Sequence, residues 1–259
     1  KTSCDGSRAV KVGKRPSCSA KGSGQNVASE ARYRMPSIEE LGATIQADDI
    51  VLAYVVRTCK PVFEGVSSEP HLEHTGSGPN IEGGRITLCT CKHKMRTSPV
   101  FEEKNAKSRI WIAGFSSSVG VGENWLFYLM RVGEKFDSQK QIYERLQARP
   151  GVLKAKLATT NELGDIFEPK NPCHEPLDPR NYRKPHGSHS HIKDDNWKRD
   201  IYSEYNGRHP KMLLGEDKYS YCYPIGKILL DARKPMSQGY RRLSGCEFLS
   251  RLKYPAGVS

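Results

Sequence analysis

The run RIWIAGF at residues 109–115 and, beyond a Ser/Gly-rich turn, WLFYLMRV at residues 125–132 decide the fold class. Both alternate in the manner of strands, are rich in β-branched and aromatic side chains, and are joined by a short connection. Working outward, IVLAYVVR at residues 50–57 is a compact apolar run bounded by Asp48-Asp49 and Pro61, which predicts a buried strand. RITLCTC at residues 85–91 alternates as a strand with one buried face. Four such runs joined by loops predict a predominantly antiparallel sheet.

Helical signals lie around these strands. Ser37 followed by Glu40 has capping-box spacing and predicts a short helix over 38–46. Ile142, Tyr143 and Leu146 place an apolar stripe on a helix over 135–149, with Pro150-Gly151 as its stop. Residues 62–84 read as one long loop, and 160–210 as a polar stretch holding five of the eight histidines. Residues 211–231 return to strand character, and residues 245–252 read as a terminal helix. The expected fold class is α+β: a small curved or barrel-like, mainly antiparallel sheet with peripheral helices.

The chain has 259 residues, 41 Lys+Arg against 29 Asp+Glu, and a net charge of +12. A charge of this sign favours polyanionic partners over cationic ones. It is unevenly placed. Residues 1–35 hold eight basic and two acidic side chains, many Ser and Gly, and no aromatic residue before Tyr33. That composition predicts a disordered basic arm, read as a plain solvated tail, an organellar transit remnant or a source of phosphate contacts, ahead of a single domain over 36–259. No apolar run approaches the roughly 20 residues that cross a bilayer, so no membrane partner is expected. The eight cysteines are spread too widely for a small disulfide framework, which points to a reducing, intracellular setting.

No phosphate-loop, dinucleotide, Gly-x-Ser-x-Gly or zincin motif is present. Cys89-Thr-Cys91-Lys-His93 offers metal-ligand types at poor spacing, so no metal is assigned, and half-buried strand cysteines are the favoured reading. His186, His189 and His191 read as a solvated loop, an anion contact or ligands. Tyr219, Tyr221 and Tyr223 share a strand face, where core packing and base stacking explain them equally well. Trp111 and Trp125 fit the core better than a ligand platform.

One resemblance adds to this. The segment Thr75-Gly-Ser-Gly-Pro-Asn80, followed by Thr87-Leu-Cys-Thr-Cys91-Lys92 and Arg96, is similar to the opening of the nucleotide-modification-associated domains, in particular the second family of that name. Trp111-Ile-Ala-Gly114, the strand over 126–132, the helix over 136–144, Gly164-Asp165-Ile-Phe167-Glu-Pro and Ser188-His189 follow in the family's order. Thr75 stands where the family has Asp, Gly78 replaces Ala, and residues 58–73 look inserted.

The resemblance implies a protein tied to DNA base hypermodification that binds modified DNA or modified nucleotides in a sheet-based pocket. The binding residues expected are Asn80, Lys92, Arg96, Trp111, Phe167 and Tyr221, with flipped bases read by hydrogen bonds and stacking. An alternative is an enzyme acting on a nucleotide or base, with Asp165 and His189 or His191 as an acid–base pair. A third reading is a structural subunit of a ribonucleoprotein. No cofactor is assigned.

Overall fold

A computed structural model describes residues 33–65, 68–76, 78–102, 109–118, 123–158, 164–172, 174–185, 195–231 and 239–255. The expected basic arm falls almost wholly outside them, but Tyr33 and Arg34 belong to the fold. The Tyr33 hydroxyl donates to the Ile81 carbonyl, and Arg34 bridges to Tyr221.

The protein is α+β, built on a curled mixed sheet of eight strands that forms a half-barrel. Strand β1 (Ile50–Val56) lies beside the edge strand β9 (Tyr240–Ser244), to which it is antiparallel, and is parallel to β5 (Ile110–Ser116). The 109–115 and 125–132 runs form the expected antiparallel pair, β5 with β6 (Asn124–Phe136). On its other side β6 pairs with β7 (Met212–Cys222) and, at its start, with β8 (Leu229–Leu230), which in turn pairs with β10 (Leu252–Lys253). Register shifts at Gly114/Phe115, Met130/Val132 and Val132/Glu134 bend these strands, since each extra residue adds local twist, and so curl the sheet.

Strands β1 and β5 are apolar along nearly their whole length because both sheet faces are covered. Leu52, Tyr54, Val56 and Ile112 face a core closed by Leu72, Ile86, Leu88, Met95 and Phe101. Val51, Ala53, Trp111 and Phe115 face the opposite core, under α1 (Ile38–Thr44) and α6 (Gly245–Leu249). The Trp111 indole donates to Asp49 at 2.8 Å, and Arg109 bonds the other carboxylate oxygen at 3.0 Å. Helix α1 carries the capping box read from Ser37 and Glu40.

The structure corrects several boundaries. The expected loop over 62–84 contains part of a hairpin, β2 (Cys59–Val62) with β3 (His71–His74), formed by the segment that looked inserted. The expected strand over 85–91 is only β4 (Thr87–Leu88), paired with β7. Pro150 does not end the helical region. After α3 (Gln139–Gln147) it occupies the first turn of α4 (Pro150–Leu157), where a missing N–H costs nothing. The polar stretch contains α5 (Asn196–Tyr202), and the terminal helix is short, giving way to β10.

Candidate functional site

The segment Thr87-Leu-Cys-Thr-Cys91-Lys92 leaves the sheet after two paired residues, and charged side chains, one nearby and one far along the chain, take over its backbone groups. On one side is Asp165, fully buried. Its carboxylate accepts from the Thr87 hydroxyl at 2.9 Å and from the Cys89 amide at 3.1 Å, and the Asn80 side chain also bonds it. On the other side is Arg96, fully buried, which donates to the carbonyls of Thr90 (3.0 Å), Cys91 (2.9 Å) and Lys211 (2.7 Å). A planar guanidinium suits this task because its fixed fork reaches several carbonyls at once. Helix α2 (His93–Arg96) is the tight turn that brings Arg96 back beneath residues 90–91.

Asp165 has a charged neighbour of its own. Lys156, on α4 and fully buried, donates to the carbonyls of Asn80 (3.0 Å) and Arg85 (2.7 Å). Burial pushes the Asp165 carboxyl up, against the pull of Lys156 and the three hydrogen-bond donors. Burial brings the Lys156 ammonium down to about 8, against the pull of Asp165 and Cys89. Gln139 fixes the Asp165 segment further, donating to the Asp165 carbonyl at 2.9 Å and accepting from the Phe167 amide at 3.1 Å.

Braced in this way, the segment ends on a half-buried Cys91 and Lys92. Lys92 has φ 58°, a left-handed conformation that strains a residue with a Cβ, and its carbonyl is held by the amides of Met95 and Arg96. Its ammonium lies 4.8 Å above the ring of Tyr54, within cation–π range. Burial lowers the Lys92 pKa, with the Cys91 thiol opposing that shift and the nearby Arg57 charge adding to it. Beneath it, the hydroxyls of Tyr54 and Tyr128 bond each other at 2.8 Å. The Cys91 thiol donates to the Gly78 carbonyl at 3.4 Å, and burial pushes it up to about 11. The Thr90 hydroxyl is buried with no partner among the described residues. Gly114 makes room for Tyr128, because a Cβ there would lie 2.1 Å from the tyrosine ring. Next along the chain, His93 pairs with the buried Asp200 at 2.8 Å and stacks on Tyr205 with centroids 6.1 Å apart.

The structure therefore draws Asn80, Asp165, Arg96 and Lys92 around one segment, in different roles. Only Lys92 reaches the surface; the other three are sealed and hold the segment. Trp111 and Tyr221 stack on each other in the core beneath α1 and α6, 6.4 Å apart. Phe167 packs edge-on against Trp197, 5.8 Å away, in a satellite core with Tyr182 and Ile201. None of these three rings is open to a base, because each is buried. His186, His189 and His191 lie outside the described residues. Asp165 faces its own hydrogen-bond donors and Lys156. Among the described residues no group of three His, Cys, Asp or Glu side chains can hold a metal ion. The cysteines among them that were read as reduced, Cys59, Cys89, Cys91, Cys222 and Cys246, are free.

Sequence reasoning missed Lys156, Tyr54, Tyr128 and the His93–Asp200 pair. Lys156 had a signal: with Pro150 at the start of a helix, it falls three residues after Leu153 on the inward stripe. The tyrosine pair had none, since each sits in an apolar strand like any core aromatic.

Two clefts lie elsewhere. One of about 650 Å³ carries Glu102, Asp137, Glu175 and Lys211, with Lys211 already paired to Asp137 and Glu102. Another of about 440 Å³ is markedly basic, with Lys170, Arg180, Lys184 and Lys198 against Asp178. Among the described residues no helix is long and apolar enough to cross a membrane. An α+β protein with a curled mixed sheet and a braced Cys–Lys corner is the class these features define. Comparison of the chain with protein-family models, with curated proteins and with solved structures returned no match.

Proposed function

We propose that the protein binds nucleotides, with modified DNA or modified nucleotides as the ligand class, at the corner formed by Cys91 and Lys92. The observation that carries this reading is Lys92 itself: a cation held in a strained backbone conformation above Tyr54, at the end of a segment fixed by Asp165 and Arg96. Backbone strain kept in place by buried charges marks a position where geometry is worth more than stability. Lys92, with the Arg57 charge beside it, supplies positive charge for a phosphate, and the half-buried Cys91 thiol is a polar group beside it that can meet a base or sugar edge. The resemblance of Thr87-Leu-Cys-Thr-Cys91-Lys92 to the nucleotide-modification-associated domains points the same way, as does the positive net charge. Free cysteines accord with a reducing, intracellular setting.

The role is recognition rather than turnover. The Cys91 thiol, pushed up to about 11, holds almost no thiolate at neutral pH, and Asp165 is engaged inside the protein. Titration calorimetry with plain and base-modified nucleoside monophosphates at low salt tests the reading. Binding that weakens with added salt, favours a modified base and falls at least tenfold in Lys92→Met supports it. Absence of binding to every nucleotide by the native protein overturns it.

A further inference from the structure

We infer that the basic cleft beside α5 holds the phosphodiester backbone of a single-stranded nucleic acid whose end lies at the Lys92 corner, so that the ligand is a strand rather than a free nucleotide. This rests on the nucleotide reading of Lys92 and extends it to a second surface.

The cleft of about 440 Å³ gathers Lys170, Arg180, Lys184 and Lys198 around a single lining carboxylate, Asp178. Asp178 is committed to Arg180 at 2.7 Å, and Lys198 has a partner outside the cleft lining, Asp195, at 2.8 Å. Two lysines beyond these pairs leave the surface with an excess of positive charge. Surface pairs of this kind exchange readily with a phosphate, because each is worth little in water.

Helix α5 connects this cleft to the corner. Its inward face is Trp197 and Ile201, and its Asp200 turns to His93. Lys198 and Tyr202 are four residues apart and share an outward face. Tyr202 is 49% exposed, and Tyr205, 39% exposed, stacks on His93, the residue after Lys92. Helix α5, roughly 10 Å long, thus carries Lys198 of the cleft and Tyr202 on its outer side, while Tyr205, just past its end, and Asp200 contact His93 beside the corner. Alternating positive charge and open aromatic faces is the pattern that binds single strands, with phosphates neutralised and bases stacked. A duplex offers no unstacked base to these rings.

Fluorescence anisotropy with a labelled 12-nucleotide mixed-sequence DNA strand tests this, on the full chain, beside calorimetry with a mononucleotide. In Lys170→Glu/Lys184→Glu/Lys198→Glu, affinity for the strand should fall at least tenfold at low salt. The slope of log affinity against log salt should flatten by about 2, since three phosphate contacts on a single strand contribute about 0.7 each. Mononucleotide binding should be unchanged. Tyr202→Ala/Tyr205→Ala should weaken strand binding about tenfold with the salt slope intact. All five positions are exposed or half-exposed, and circular dichroism checks that each variant is folded. Unaltered strand affinity in the charge variant overturns the cleft assignment, while loss of both ligands in Lys92→Met alone leaves the corner standing. If the tyrosine variant binds as the native protein does and heparin competes as well as the strand, the surface is a general polyanion site and the inference fails.

Discussion

Removal of the Asp165 carboxylate should destabilise the protein far more than the loss of a surface charge, and the loss should depend on Lys156. In Asp165→Ala the Thr87 hydroxyl and the Cys89 amide lose their acceptor, and the buried Lys156 ammonium loses the carboxylate that stabilises it most, with the Glu82 carboxylate left to offset its burial. Breaking a buried pair from one side costs about 3–5 kcal/mol, because the remaining charge cannot regain its water. Lys156→Met strands Asp165 in the same way, although its three hydrogen-bond donors remain, and should cost about 3 kcal/mol. The double variant leaves neither charge buried alone. Its loss should fall short of the sum of the single losses by about 1.5–3 kcal/mol, a coupling typical of residues within one network. Urea unfolding followed by tryptophan fluorescence and circular dichroism measures all four proteins, with Asp165→Asn as a milder member of the series. Single losses below about 1 kcal/mol, or losses that add within about 0.5 kcal/mol, would refute the claim that Asp165 and Lys156 jointly hold the segment ending at Lys92.

Further outcomes follow from neighbouring groups. Lys156 titrates at about 8 in the folded protein, below the ordinary lysine range. Above pH 8 the unfolded chain therefore binds more protons, and stability relative to Lys156→Met should rise with pH by up to about 1.4 kcal/mol per unit toward pH 10; a flat difference between the two proteins contradicts this. Gly114→Ala should destabilise by about 1–3 kcal/mol, read as a lower melting temperature, because its Cβ meets the Tyr128 ring, itself packed in the core. With Cys91 pushed up to about 11, only about one thiol in a thousand is ionised at pH 8. Peptide mass mapping after iodoacetamide treatment at that pH should find the exposed Cys246 labelled well before Cys91.

The sheet was legible in the sequence because its strands are buried on both faces and so read as dense apolar runs, as at residues 50–57 and 109–115. The Ser37–Glu40 capping box was legible for a local reason, since all its bonds lie within four residues. The segment at 85–91 misled because its alternation is that of a strand, whereas its hydrogen bonds after Leu88 go to Asp165 and Arg96, 76 residues downstream and 6 residues or fewer away respectively. Alternation reports which side chains are buried and says nothing of which groups bond the backbone. Pro150 misled because the same residue ends one helix and opens the next. At the site, Asn80, Lys92, Arg96 and Asp165 lie around one segment, while Trp111 and Tyr221, for which core packing was already a reading, and Phe167 are packed in cores. An aromatic residue on a strand carries no local mark of which side its neighbours occupy.

The central claim is that Lys92 is presented for a nucleotide phosphate rather than for the fold. Calorimetric titration of the native protein and Lys92→Met with the same base-modified nucleoside monophosphate at low salt tests it most directly. The account predicts binding by the native protein, a loss of at least tenfold in the variant, as expected for a charged hydrogen bond worth about 1.5–3 kcal/mol, and little change in melting temperature, since Met keeps the Cβ and only the charge is removed. Equal affinity in the two proteins, or no affinity in the native one, would contradict it.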